Sequence, residues 1–421
     1  MTKFQSIQAP KGVSEYFPPR SQNFEFVRET LINSARISGY QLIELPMFED
    51  TELFKRGVGE STDVVSKEMY TFEDRGGRSI TLRPEGTAGV MRSVIENNLD
   101  KGQLPVKIWY SGAFFRAERP QAGRYRQFYQ VGVEAIGASS PELDVEVIAL
   151  ADRAFKSLGL KSYRLEITSL GDTASRSAHR KDLLSYISKM NLDAESAARA
   201  ELNPLRLFDD KREEIRNAMQ KAPVLLDYLS PESAAEFAAV QELLNDLGIN
   251  YTVNPRMVRG LDYYTGTTFE FIHEKLGAQS GIGGGGRYDG LMAELGGADI
   301  SGIGFGLGVD RVLLACEAEG LFDPDVVPGK LKVYLIALGP ESKSATIKLL
   351  NDLRNAGIAA DMAYGDRALK GAMKAADKSG AQYCVVLGEN EISSGKFEIK
   401  EMKTGTVKEV TLSTLIDFLA E

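Results

Sequence analysis

Histidine, cysteine and tryptophan are scarce in this chain of 421 residues, which holds two, two and one of them. His179 and His273, with Cys316 and Cys384, are too few and too scattered for a zinc site, and no metal-ligand cluster is expected. The wide spacing of the cysteines also excludes a disulfide framework. The stretch 1–5 lacks the apolar core of a signal peptide, so reduced thiols in the cytoplasm are expected. No apolar run approaches the roughly 20 residues that span a bilayer, and no membrane partner is expected. An excess of positive charge is missing too. The net charge is −9, so the surface as a whole does not advertise nucleic acid. Charge is uneven, however. Residues 330–421 carry 13 basic against 12 acidic side chains, a balance of +1, which leaves −10 to the rest. A nucleic-acid partner would need local basic patches.

What is present is a soluble globular composition, 43% hydrophobic and 26% charged, in a chain too long for one core. Residues 107–137 organise the reading. Lys107 to Arg116 is aromatic-rich and extended. Ala117 to Arg124 sets Pro120 and Gly123 between charges, and Tyr125 to Gly137 alternates again. That pattern predicts a long antiparallel hairpin with a charged tip. Tyr129, Val131, Val133 and Ala135 make an apolar face suited to a core. Arg126, Phe128, Gln130, Gly132 and Glu134 make the other face. It suits a pocket, with a ring to stack on, two polar contacts and a glycine leaving room for a ligand. It also suits a solvated polar face, and both readings stay open.

Ser21 to Ser38 has helical spacing, and Tyr40 to Pro46 reads as an edge strand ended by proline. The pair suits either a dimer interface or simple core packing. Ser79 to Arg83 reads as a strand running into a helix opened by Pro84, with Glu85 and Thr87 at its first turn, where they suit either capping or an ammonium group. From about Leu165 to Asn250 the pattern turns helical and predicts an inserted domain. Arg259-Gly260-Leu261-Asp262-Tyr263-Tyr264 then sets an arginine, an acid and two tyrosines in a glycine-bounded loop, a density of polar and planar groups that favours a site. Residues 281–290 formally contain GxGxxG. The flanking strands read as antiparallel, so a dinucleotide fold is discounted, and no Gly-Lys-Ser/Thr follows to make a P-loop. Residues 302–308 alternate glycine with apolar residues. One strand face is thereby bare, and Arg311 stands where the strand meets a helix. A bare face beside an arginine suits a flat phosphorylated ligand; close packing under a helix explains it as well. Past the linker-like Phe322 to Lys330, strands and helices alternate, predicting a small α/β domain with a largely parallel sheet. In it Arg367, Lys370, Lys374 and Lys378 are placed on one helix face.

Together these motifs resemble the class II aminoacyl-tRNA synthetases, and within them the histidyl-tRNA synthetases, over nearly the whole chain. The class-wide parts are the helix and strand ending at Pro46, the hairpin with Phe115-Arg116-Ala117-Glu118 and the glycine strand leading to Arg311. The more specific parts are Leu82 to Thr87, the Gln130 and Glu134 pair, and Arg259 to Tyr264. Ala117 departs from the pattern, since related enzymes often have histidine or tyrosine there.

The resemblance implies an α+β catalytic domain, an antiparallel sheet flanked by helices, over 1–325. It is interrupted by a helical insertion at 170–250 and followed by an α/β anticodon-binding domain at 331–421. It implies a homodimer that joins L-histidine to tRNA(His) with ATP and Mg2+. Arg116 and Arg259 would be catalytic, and Arg116, Phe128 and Arg311 would hold ATP. Glu85, Thr87, Gln130, Glu134, Tyr263, Tyr264 and Tyr288 would hold histidine. Arg119, Gln121 and Arg124 would meet the tRNA. The alternatives are a non-catalytic regulatory subunit of histidine biosynthesis, a class II synthetase for another amino acid and, on the weak glycine match alone, an NAD-dependent enzyme.

Overall fold

A computed structural model of the chain describes residues 7–59, 62–210, 212–322, 331–365 and 367–420. The chain divides into two compact units, residues 1–322 and 323–421. Of the expected linker, residues 323–330 lie outside the described residues.

The first unit grows from the hairpin. Strands Val106–Phe115 and Gln127–Ile136 pair antiparallel along their whole length, Val106 opposite Ile136 and Phe115 opposite Gln127. The apolar half of the alternation is buried: Val131, Val133 and Ala135 have no exposed surface, and Tyr129 packs against the same core. Six central antiparallel strands follow in the spatial order Val106–Phe115, Gln127–Ile136, Gly302–Gly308, Gly281–Arg287, Thr265–His273 and Tyr163–Ser169. A short parallel strand closes each edge, Gln41–Leu42 on one side and Tyr251–Val253 on the other. The expected edge strand before Pro46 is thus only two residues long, prolonged by the bond from Ile43 N to Trp109 O.

Helices cover one face of the sheet. Arg20–Ile37 buries Phe24, Val27, Leu31, Ile32 and Ala35, the spacing read from sequence. Pro141–Ser157 starts on Ser140, whose hydroxyl accepts from Leu143 N, with proline in the first turn where no N–H is lost. The opposite face carries helix Thr87–Glu96 and a second core that includes Tyr110, Tyr263, Tyr264 and Tyr288. These tyrosines leave hydroxyls inside an apolar layer. Each must find a partner there, and the site grows from that need.

The expected helical insertion is not one packing unit. Residues 163–169, read partly as helical, form a strand of the main sheet. Helices Thr173–Ile187, Ala194–Leu202 and Glu213–Met219 share a core of their own around Leu183, Leu207, Ile215 and Met219. Helix Pro231–Asp246 instead buries Phe237, Val240 and Leu244 in the core of the main sheet. Periodicity shows that a segment is helical and which face is apolar; it does not say against which neighbour that face packs.

In the second unit strands Val333–Ala337, Ala360–Met362 and Tyr383–Leu387 are parallel. Strands Lys396–Glu401 and Val407–Thr411 add an antiparallel hairpin, so the sheet is mixed where a largely parallel one was expected. That hairpin is half charged, with only Phe397, Ile399 and Val410 buried, and its alternation is faint in sequence. Arg367 precedes helix Leu369–Ser379 and does not share its face with Lys370, Lys374 and Lys378. Among the described residues no helix is long and apolar enough to cross a membrane.

Phe155 is fully buried and meets Phe271 edge-on at 5.1 Å between centroids and Tyr163 at 5.4 Å. Phe155→Ala should therefore cost about 3–5 kcal/mol in urea unfolding. A loss below about 1 kcal/mol would mean that this layer does not hold the sheet and its helices together.

Candidate active site

One cleft of about 330 Å³ opens on the sheet face opposite the first helix layer. Its floor is the glycine strand Gly281–Arg287 with Gly302–Gly308 beside it. A Cβ at Gly284 would come 2.9 Å from the guanidinium of Arg259, and one at Gly304 would fall on the carboxylate of Glu134. The bare strand face therefore makes room for functional side chains as well as for any ligand.

Helix Thr87–Glu96 begins at Thr87, so Pro84 stands before the first turn rather than in it. Glu85 caps the helix. Its carboxylate accepts from Thr87 N at 2.7 Å and from Ala88 N at 2.9 Å. It is buried, which pushes its pKa up, while those two N–H groups and the nearby Arg116 hold it down. Its Oε2 also accepts from Tyr263 Oη at 3.4 Å. Capping and a role in a site are not exclusive, because Oε1 keeps a lone pair.

Glu134 lies beneath the cleft, fully buried. Its Oε1 accepts from Thr87 Oγ1 at 2.9 Å and Tyr110 Oη at 3.2 Å, and its Oε2 from Tyr288 Oη at 2.6 Å. Burial pushes its pKa up to about 8; the hydroxyl donors oppose the shift and the Glu85 charge adds to it. Tyr110 is the residue that sequence reasoning missed. It sits opposite Gly132, and its ring fills the space that the glycine leaves. The room read as a ligand's is taken by this tyrosine. An aromatic facing a glycine across a hairpin was the available signal.

Four guanidiniums line the cleft, those of Arg116, Arg124, Arg259 and Arg311. Arg259 lies over the Tyr264 ring at 5.4 Å and reaches Glu270 at 3.4 Å, and its buried Nε has no hydrogen-bond partner. Arg116 donates from Nε to Pro84 O at 3.0 Å and lies over the Phe128 ring at 5.3 Å. Arg311 donates to Gly123 O at 2.6 Å, Gly281 O at 2.9 Å and Gln279 Oε1 at 3.0 Å. Phe128 and Arg311, both expected to hold ATP, line the same cleft. Arg116 faces that ring, and Arg311 is held by carbonyls on the same cleft wall. Burial lowers the pKa of Arg116 and Arg311, and the two guanidiniums repel each other. Desolvated cations with mostly neutral partners bind an anion strongly.

Glu85, Thr87, Arg116, Phe128, Gln130, Arg259, Tyr263, Tyr264, Tyr288 and Arg311 all lie on this cleft. The residues expected to meet tRNA divide. Arg119 and Gln121 are exposed on the hairpin tip, whereas Arg124 turns inward, paired with Glu118 and, at 3.5 Å, with Glu68. Glu118, part of the hairpin motif, and Glu270, which carried no sequence signal, also line the cleft.

Residues 12–312 match the family model described as Histidyl-tRNA synthetase, and residues 332–421 the one described as Anticodon binding domain. A histidine--tRNA ligase of Corynebacterium jeikeium is 59% identical over 420 residues, covering 100% of this chain and 94% of the relative. One of Saccharopolyspora erythraea is 59% identical over 416 residues, covering 99% of each. The apo histidyl-tRNA synthetase of S. aureus superposes with a TM-score of 0.83 at 37% identity, covering 99% of this chain and 100% of that one. An ATP phosphoribosyltransferase regulatory subunit/histidyl-tRNA synthetase from Bacillus halodurans has a TM-score of 0.67 at 23% identity, covering 92% and 99%, a likeness of fold alone.

The raised pKa of Glu134 has a consequence for stability. Between the ordinary value of 4.5 and about 8 the folded protein binds a proton that the unfolded chain releases. The stability from that proton is present below 4.5 and is lost as pH rises through about 8. Urea unfolding at about pH 5 and about pH 9 should show wild type weakening with pH more than Glu134→Gln does. Parallel curves for the two proteins would refute the shift.

Proposed function

We infer the working of this site from one premise: the chain belongs to the histidyl-tRNA synthetase family and is a histidine–tRNA ligase. The observation that carries the reading is the fully buried Glu134 with its three hydroxyl donors, set beside four guanidiniums on a glycine floor. Ionised when a histidinium ring approaches, the Glu134 carboxylate has about four lone-pair sites. Three are used, and the fourth accepts a ring N–H of L-histidine. Tyr264 holds the other side of the imidazole, and Tyr263 and Tyr288 close the pocket. Glu85, the free lone pairs of Thr87 Oγ1, and Gln130 accept from the substrate ammonium. A side chain without ring nitrogens would leave Glu134 unpaired in the dark of the core, which is how a polar pocket rejects analogues.

The reaction has two steps. The histidine carboxylate attacks the α-phosphate of ATP, forming histidyl-adenylate and releasing diphosphate. The terminal ribose hydroxyl of tRNA(His) then takes the histidyl group, releasing AMP. Charge grows on the α-phosphate in the first step, and fixed cations stabilise it. Arg259, whose Nε is unpaired, and Arg116 clamp the carboxylate and phosphate, a geometry suited to a planar fork. Phe128 offers adenine a ring face, and Arg311 a planar cation on the same cleft. Among the described residues no cluster of three or more His, Cys, Asp or Glu could hold a metal, so Mg2+ would be carried chiefly by the ATP phosphates. Glu118 and Glu270 are the carboxylates that would complete its shell, and the ion would supply charge neutralisation. Arg119 and Gln121 meet the tRNA end, and Arg124, which lines the cleft, adds a cation toward the ATP phosphates. With both cysteines buried and free, we assign the protein to the reducing cytoplasm.

Leu42, Met47, Phe48 and Phe72 are each about half exposed, on the short edge strand and on or beside the small sheet Phe48–Asp50, Ser79–Leu82 and Tyr70–Glu73. We propose that a second copy covers them. Sedimentation equilibrium should return twice the chain mass; a monomer mass at micromolar concentration would rule the homodimer out.

A regulatory, non-catalytic role is disfavoured by the full-length relatives and by the anticodon-binding match over 332–421. Histidine-dependent exchange of diphosphate into ATP tests the reading. Wild type should show it, and Arg259→Ala should lose about two to three orders of magnitude while remaining folded. Glu134→Ala should raise KM for histidine far more than KM for ATP. Equal losses for both substrates, or near-normal turnover without Arg259, would overturn these roles.

A further inference from the structure

Arg176 stands outside the cleft, in the first helix of the separately packed helical body, and its position is unfavourable on its face. It lies in the first turn of helix Thr173–Ile187, where the helix dipole disfavours a cation. It is half-buried, and burial depresses its pKa. Asp172, Asp289 and Glu294 are the acids that face it. Its hydrogen bonds go elsewhere: Nη1 donates to the backbone carbonyl of Tyr264 at 2.9 Å, and Nη2 to Thr173 Oγ1 at 3.3 Å.

That carbonyl belongs to the loop that carries Arg259, Tyr263 and Tyr264. Among the described residues the loop has few backbone bonds of its own, and the one from Asp262 N to Val58 O is long, at 3.4 Å. Beyond it the chain is tied to the neighbouring strand. Leu170 N donates to Gly266 O at 2.7 Å and Gly266 N to Gly171 O at 3.2 Å, continuing the ladder in which Ser169 faces Thr267. Arg176 supplies the next contact in that row. The Tyr264 ring has its own contacts, a tilted one with Tyr263 at 4.8 Å between centroids and Arg259 above it. Turning the peptide after Tyr264 would swing its ring and disturb its packing on Tyr263.

We propose that Arg176 is a positioning residue for histidine selection: from the helical body it fixes the Tyr264 carbonyl, and so the phenol that meets the imidazole. This rests on the assignment of Tyr264 made above. It makes histidine recognition, and not nucleotide binding, depend on a residue of a separately packed unit.

Diphosphate exchange with the full chain tests it, with histidine and ATP varied in turn. Arg176→Ala should raise KM for histidine about tenfold, the worth of one charge-assisted hydrogen bond. KM for ATP should stay within about twofold. Arg176→Lys should recover part of the loss. Arg180→Ala, on the same helix but bonded to the carbonyls of Glu201 and Leu202, should leave both constants unchanged. An unchanged histidine KM in Arg176→Ala, or equal rises for both substrates, would overturn the proposal. Should Arg176→Ala not fold, Arg176→Gln, too short to reach the carbonyl, must show the histidine-only rise, and its absence sinks the idea equally. Tyr264→Phe separates two failures. A normal histidine KM there sinks the role of Tyr264 and this inference with it. A raised one beside a normal Arg176→Ala sinks the inference alone.

Discussion

A carboxylate with no access to water must be met on every side by donors, and Glu134 imposes that demand on the catalytic unit. Its donors come from distant parts of the chain: Thr87 from a helix start, Tyr110 from the partner strand of the hairpin, and Tyr288 from just past the glycine strand. None of the three segments can shift without leaving a hydroxyl or an oxygen unsatisfied. The neighbouring glycines answer the same demand, since a side chain at Gly304 would displace the carboxylate and one at Gly132 the Tyr110 ring. Tyr288 is held in turn by its neighbour Arg287, which pairs in the core with Asp144 at 2.7 Å. Fold and pocket are here the same set of constraints.

Charge tells a second story. The chain is acidic overall, yet the cleft gathers Arg116, Arg259 and Arg311. Local placement decides what binds, because each of these guanidiniums has given up much of its hydration. Their partners are largely carbonyl oxygens and aromatic faces, which stabilise a cation less than a phosphate would.

Much of this was readable in the sequence, and for identifiable reasons. The hairpin, the first helix and the glycine strand Gly302–Gly308 each follow one clean period, and the structure has them where they were read. The Arg259 to Tyr264 loop stood out by composition. Three-dimensional closure was not legible. Nothing in the pattern of Tyr110 says that its hydroxyl meets Glu134, nor that Arg124 folds back on Glu118. The allegiance of helix Pro231–Asp246 to the main core was hidden for the same reason. The hairpin of Lys396–Glu401 and Val407–Thr411 escaped because charged outer faces blur a strand's alternation.

The floor of the cleft has one further implication. At Gly283, Gly284, Gly285 and Gly286 even a methyl group would run into backbone or into a neighbouring residue. This surface cannot be re-carved residue by residue. A variant enzyme with altered appetite would have to be sculpted from the tyrosine and arginine walls, over bedrock that admits no chisel.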